Sequence, residues 1–101
     1  MAESRRFLIF SLSLDPAEAW TWFDLALTER AMGRAQEALA HLEVAGGLSP
    51  AVAGPAARTR ATMLRENGDR AGAQAALAGA LSKNPKDEET RQMLNQLQGN
   101  R

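Results

Sequence analysis

The chain has 101 residues, of which 45% are apolar and 24% are charged, so it is long enough for one small folded domain and too apolar for a disordered one. Twelve basic residues balance twelve acidic ones, which removes the electrostatic basis of a general affinity for nucleic acid, and we expect no nucleic-acid partner. The absence of cysteine excludes disulfides and thiolate metal sites and favours a cytoplasmic location.

The first predicted element is the apolar segment 7–14, which follows Arg5 and Arg6. A basic pair before an apolar run superficially resembles a signal peptide, but two serines interrupt the run and Asp15 replaces a small-residue cleavage site. The segment is also shorter than the ~20 residues of a membrane-spanning helix, so we expect no membrane insertion. The alternation over 11–14 is compatible with a β-strand, whereas the repeat register described below favours a helix.

Two antiparallel helices are predicted next. After Pro16 the apolar residues recur at intervals of three and four, which is typical of an amphipathic helix, and Gly33 ends that run. A second helical run begins near Ala35, and we predict that Gly46-Gly47 and Pro50 stop it.

The following pair is predicted to open at Gly54-Pro55, since proline suits the first helical position, with Ala51–Pro55 as the connector. Gly68 is suited to a left-handed C-terminal cap and Asp69 to the N-cap of the next helix. That helix, about 70–82, is nearly all alanine, glycine and leucine, so we expect it to pack closely between its neighbours. After Pro85 a mostly polar terminal helix is predicted.

Three prolines mark a period: Pro16, Pro50 and Pro85 are separated by 34 and 35 residues. A fixed period of this size is typical of stacked helical repeats. Segment 19–52 resembles the tetratricopeptide repeat, in which a tryptophan and a leucine of the first helix precede alanines, an aromatic residue and a proline. The matching residues are Trp22, Leu25, Ala26, Gly33, Ala38, Leu42, Ala45 and Pro50.

Segment 54–87 resembles the same pattern less closely, with Arg60 where a leucine is expected. The matching residues are Ala57, Ala61, Leu64, Gly68, Ala73, Leu77, Ala80 and Pro85. The N-terminal segment resembles the second helix of an incomplete repeat, with Leu8, Ser11, Leu14 and Pro16 at the pattern positions.

The resemblance implies an all-α fold in which antiparallel helix pairs stack as a short right-handed solenoid. Its parts in the single domain 1–101 would be a half-repeat at 4–16, repeats at 17–50 and 51–85, and a capping helix at 86–99. The alternative is an unrelated helical bundle whose prolines recur by coincidence.

The resemblance also implies a concave face lined by the first helix of each pair. The candidate groove residues are Trp20, Phe23, Asp24, Leu27, Arg30, Arg58, Thr62 and Arg65, with Gln92 and Gln96 extending the face. An apolar floor with cationic sides would suit a peptide that bears apolar anchors and an acidic group. The two aromatic candidates could instead be core residues, and Trp22 is predicted to be one.

The 7–14 segment is more apolar than one exposed helix tolerates, so a cover is expected: an upstream domain, a second copy, or the chain's own groove. Candidates for self-association are Phe7, Leu8, Phe10 and Leu12. No catalytic pair or metal cluster can be built around the single histidine, His41, which is predicted to lie at the surface. We therefore expect no enzyme activity and no cofactor, and a module that binds a protein or peptide. The alternatives are a homodimerisation domain and an accessory domain of a longer enzyme.

Overall fold

The computed structural model describes residues 2–99, which form six α-helices. No strand occurs in this range, so the all-α prediction is confirmed and segment 7–14 is helical. The helices are α1 (Ala2–Leu14), α2 (Ala19–Ala31), α3 (Ala35–Leu48), α4 (Pro50–Glu66), α5 (Arg70–Lys83) and α6 (Glu88–Gly99). None of them is long and apolar enough to cross a membrane.

The helices pack in sequence order, each against the next. In addition α2 contacts α4, and α4 contacts α6. These three helices therefore form one layer, with α3 and α5 on the other side, in an elongated body of 43 × 27 × 15 Å. This is the layered arrangement of an all-α repeat fold.

The turns within the two central pairs have the same hydrogen bonds. Gly33 and Gly68 both have a φ of 82°, the left-handed conformation that glycine adopts without steric cost. Arg34 N donates to the carbonyl of Glu29, and Asp69 N to that of Leu64, both at 2.8 Å. The predicted helix ends at these glycines are confirmed.

Helix α4 begins earlier than predicted, and the expected connector at Ala51–Pro55 is wrong because these residues are helical. Ser49 is the N-cap, with its Oγ accepting from Ala51 N at 3.2 Å, and Pro50 takes the first helical position. Pro55 consequently lies inside the helix. The extension is favoured because it buries Val52 and Ala53 completely or nearly so.

The end of α3 also differs from the prediction, because Gly46 and Gly47 are helical and the helix continues to Leu48. Gly46 lies where α3 approaches α4: a Cβ there would be 3.5 Å from that of Ala56. The chain turns instead at Ser49, whose backbone is extended.

The core consists of two clusters. One surrounds Leu42 and Val52 between α2, α3 and α4, and the other surrounds Leu77 and Leu97 between α4, α5 and α6. Trp22 packs against the first cluster and donates its Nε1 proton to the carbonyl of Pro16 at 2.7 Å.

The small residues of α5 do not serve close packing on all sides. Only Ala73, Leu77 and Ala80 are buried in this helix. A Cβ at Gly79 would meet open space, and one at Gly72 would overlap the N-capping carboxylate of Asp69. Helix α5 packs against α4 and α6 as expected, but Gly72 and Gly79 do not account for this packing.

Candidate functional site

Helices α2, α4 and α6 together line an open groove of about 490 Å³. Each helix contributes side chains because the three lie in one layer. The lining residues are Phe23, Arg30, Pro55, Arg58, Thr59, Thr62, Glu89, Gln92, Met93 and Gln96.

The structure brings half of the predicted groove residues together. Phe23, Arg30, Arg58 and Thr62 line this groove. Four others, which are exposed side chains of α2 and α4, do not line it: Trp20, Asp24, Leu27 and Arg65.

The aromatic rings of Trp20 and Phe23 are nevertheless in contact. They meet edge to face with centroids 5.5 Å apart, so the exposed Trp20 extends the apolar surface beyond the end of the groove. Pro55 and Met93 were not predicted as lining residues. Pro55 follows Trp20 by 35 residues, which is the repeat offset and could have indicated that the two positions correspond. The connector predicted in this segment concealed that correspondence.

Arg58 is bound within the protein and does not lie free in the groove. Its Nη1 donates to Thr90 Oγ1 at 2.8 Å and to the two carboxylate oxygens of Asp87 at 3.2 and 3.3 Å. Thr90 is fully buried and donates its own hydroxyl proton to Asp87 Oδ2 at 2.6 Å. The network connects α4 to the first turn of α6. The main role of Arg58 is therefore to stabilise the groove wall.

Asp87 is held in its ionised form. Burial raises the pKa of this carboxyl, but hydrogen bonds from the side chain and backbone of Thr90 and the charge of Arg58 outweigh it, and the pKa lies below its ordinary value. Asp87 Oδ1 also accepts from Thr90 N at 3.3 Å, near the N-terminus of α6. The anion is thus part of the helix start.

Arg30, the second cation in the groove, also has an internal partner. Its Nη2 lies 3.3 Å from Glu66 Oε1, which joins α2 to the end of α4. Both side chains are more than a third exposed, so this pair contributes little stability and can open. The predicted cationic sides are therefore largely neutralised, and the acidic anchor expected of a ligand loses its main support.

A buried carboxylate that the sequence did not predict connects the first three helices. Glu29 of α2 is fully buried. Its Oε2 accepts from Arg5 Nε of α1 at 3.1 Å, and its Oε1 lies 2.5 Å from His41 Nδ1 of α3. Arg5 Nη2 also reaches Glu37 at 2.9 Å. Glu29 follows Leu25 by four residues on the buried face of α2, and this spacing was the available signal.

His41 is half-buried, contrary to its predicted surface position. Its ring lies 5.3 Å from that of Trp22 and its Nδ1 is held by Glu29. Residues 2–99 contain no group of three or more metal-ligating side chains. We interpret the cluster as a structural tie that fixes α1 on the α2–α3 pair.

The outward face of α1 is apolar. Phe7 is 68% exposed, Phe10 60% and Leu14 73%, whereas Leu12 is buried and Leu8 half-buried. Of the four candidates for self-association, only the two phenylalanines lie on this face. Leu12 packs inward because it lies on the side of α1 that carries Arg5.

No family model matches the sequence of this chain, and no curated protein matches it significantly. A functional inference therefore rests on the groove and on the exposed surfaces described above.

Proposed function

We propose that this chain is a non-catalytic, cytoplasmic interaction module of the tetratricopeptide type that binds a peptide segment of a protein partner in the groove between α2, α4 and α6. The observation that carries the proposal is the groove itself, to which three helices that are not consecutive contribute side chains. Its volume of about 490 Å³ is within the range of about 300–1,000 Å³ of ligand sites in proteins.

The apolar part of the groove determines what side chains a ligand would carry. Phe23, Pro55 and Met93 come from three different helices and are all at least partly accessible. Two or three apolar anchors of a peptide would displace water from these surfaces, which is the main source of affinity in such grooves.

The polar part of the groove determines how a ligand backbone would be bound. Thr59 and Thr62 donate their hydroxyl protons to the carbonyls of Pro55 and Arg58, which leaves the hydroxyl oxygens as acceptors. Gln92 and Gln96, which lie one turn apart on α6, present exposed amide side chains to the groove. Amides and hydroxyls suit the N–H and C=O groups of a peptide backbone.

The charge balance favours an uncharged ligand over an acidic one. Because Arg58 is hydrogen-bonded to Asp87 and Thr90, a ligand carboxylate would have to displace a buried partner. Arg30 is paired with Glu66, and Glu89 adds a negative charge to the lining. We therefore propose a peptide with apolar anchors and little net charge.

The test is selection of binders from a random peptide library on the immobilised chain, followed by affinity measurement with fluorescence anisotropy. We expect enrichment of apolar, weakly charged peptides. Phe23→Ala and Met93→Ala should each weaken binding about tenfold, since truncation of a central apolar contact costs 1–2 kcal/mol or more. Helicity measured by circular dichroism should be unchanged.

The matched control is Val44→Ala, an exposed apolar side chain of α3 that does not line the groove. Its peptide affinity should equal that of the wild type. Selected peptides whose affinity falls with Val44→Ala but persists in both groove variants would reject the proposed surface.

A further inference from the structure

We propose that two copies of this chain associate through α1, whose outward face packs antiparallel against the same face of the second copy. The surface involved is separate from the proposed peptide groove. It is a stripe formed by Phe7, Phe10 and Leu14, which follow one another at the spacing of one helix face and are each at least 60% exposed.

The orientation of the stripe is fixed by contacts on the opposite side of α1. Arg5 is bonded to the buried Glu29 and to Glu37, and Leu12 is buried. Rotation of α1 to hide its phenylalanines would break these contacts and leave the Glu29 carboxylate without its arginine. The apolar stripe therefore stays in water in a single copy, at a cost that pairing would remove.

A second copy is the occupant that the two ends of the stack favour. The outer face of α6, at the other end, carries the polar residues Glu88, Arg91, Asn95 and Gln98. Head-to-tail stacking of α1 on α6 would place phenylalanines against charged and amide groups. Pairing α1 with α1 buries apolar against apolar and closes the assembly as a symmetric dimer.

Charge determines the direction of pairing. Arg6 is exposed beside the first turn of the stripe, and Asp15 is exposed directly after its last residue. Antiparallel pairing places each Arg6 near Asp15 of the other copy and opposes the two helix dipoles. Parallel pairing would place Arg6 beside its own counterpart.

The exposed apolar area of the stripe determines how tightly the two copies can associate. With about 200 Å² for a whole phenylalanine or leucine side chain, the exposed fractions leave on the order of 400 Å² of apolar surface per copy. The dimer would therefore bury about 800 Å² of apolar surface, not counting the flanking polar side chains. This is below the ~1,200 Å² that stable complexes bury. We therefore expect a weak dimer that forms only at high micromolar concentration.

Sedimentation equilibrium between about 10 μM and about 1 mM tests the association. We expect a monomer–dimer equilibrium for the wild type, and a monomer throughout for the double variant Phe7→Ser, Phe10→Ser. The control Val44→Ser, Leu48→Ser changes two exposed apolar side chains of α3 and should dimerise like the wild type. A wild type that remains monomeric, or a control that dissociates equally, would overturn the proposal.

A charge exchange tests the direction. Arg6→Asp and Asp15→Arg should each weaken dimerisation at low salt, and the two together should restore it, because each swapped charge meets its swapped partner in the other copy. If the dimer affinity of the double variant falls by the product of the two single-variant effects, antiparallel pairing is rejected. Peptide affinity should be unaffected by the substitutions at Arg6, Phe7, Phe10 and Asp15, so failure of dimerisation is distinguishable from failure of the groove.

Discussion

The carboxylate of Asp87 lies against the backbone of Gly54, in the space that the Cβ of any other residue would occupy. A methyl group at Gly54 would overlap Asp87 Oδ2 and come within 3.2 Å of its Cγ and 3.3 Å of Arg58 Nη1. Asp87 cannot move aside freely, because Arg58 and the buried Thr90 hold it. Glycine at 54 thus allows the first turn of α6 to dock on α4 and complete the groove wall.

Gly54→Ala should destabilise the fold, although alanine is the better helix former. In an open helix the exchange gains up to about 1 kcal/mol. Here displacement of Asp87 breaks charged hydrogen bonds to a buried hydroxyl, which costs about 2–3 kcal/mol, so we expect a net loss of about 1–2 kcal/mol in urea denaturation.

The matched control is Gly79→Ala in α5, where a Cβ meets open space. It should gain about 0.5–1 kcal/mol. Equal stability changes for the two variants would show that Asp87 does not constrain Gly54.

Protonation of Asp87 should lower the stability of the folded protein in acid. Burial raises the pKa of this carboxyl, but Thr90 and Arg58 lower it more, so it lies below 3.8 in the folded protein. The contribution of Asp87 is complete above the unfolded pKa of about 4 and is lost as the pH falls through the lower folded pKa. Asp87→Asn should be less stable near neutral pH and lose less stability than the wild type as the pH falls below about 4. An acid profile parallel to that of the wild type would contradict this.

Removal of the charge of Arg5 should destabilise the folded protein. Arg5→Met keeps most of the stem but leaves the buried Glu29 with His41 alone, and we expect a loss of about 1–3 kcal/mol by thermal or urea unfolding. Arg34→Met removes a more exposed partner of Glu37 and should change stability by less than about 1 kcal/mol. Partial recovery in the double variant Arg5→Met, Glu29→Gln is expected, since no buried charge then lacks its partner. Equal losses for the two single variants would contradict this role of Arg5.

Arg60→Leu should stabilise the protein. Arg60 Nε is buried and has no hydrogen-bond partner among residues 2–99, while its Nη2 lies 3.4 Å from the exposed Glu43. Leucine stands at the corresponding position in α2, where Leu25 is buried. We expect a gain of about 1 kcal/mol in chemical denaturation. Arg65→Leu, on the exposed face, should change stability by less than about 0.5 kcal/mol, and a loss at Arg60 larger than that would contradict the explanation.

Local features of the fold could be predicted from the sequence. Gly33 ends α2 as predicted, Gly68 has the predicted left-handed conformation because only glycine adopts it without cost, and Asp69 caps α5 as expected. The start of α4 could not be predicted in this way. Pro50 is compatible with either end of a helix, and burial of Val52 against other helices decides between the two.

The groove could be predicted only in part. Phe23 and Thr62 were predicted because the repeat resemblance implies a concave face on the first helix of each pair, and helical spacing assigns these residues to that face. The pairing of Arg58 with Asp87, 29 residues later, depends on how α6 docks, and spacing within one helix contains no such information. For the same reason, Glu29 was recognisable as a charge on a buried face, but its partners Arg5 and His41 were not.

The most direct measurement for the central claim is a map of backbone amide chemical shifts of the labelled chain as a library-selected apolar peptide is added. Shifts should be largest at Thr59, Thr62, Gln92 and Gln96, with smaller changes along α3 and α5 and none at Phe7 or Phe10. Saturable shifts concentrated on α1 or on the outer faces of α3 and α5, with the groove residues unchanged, would contradict the account.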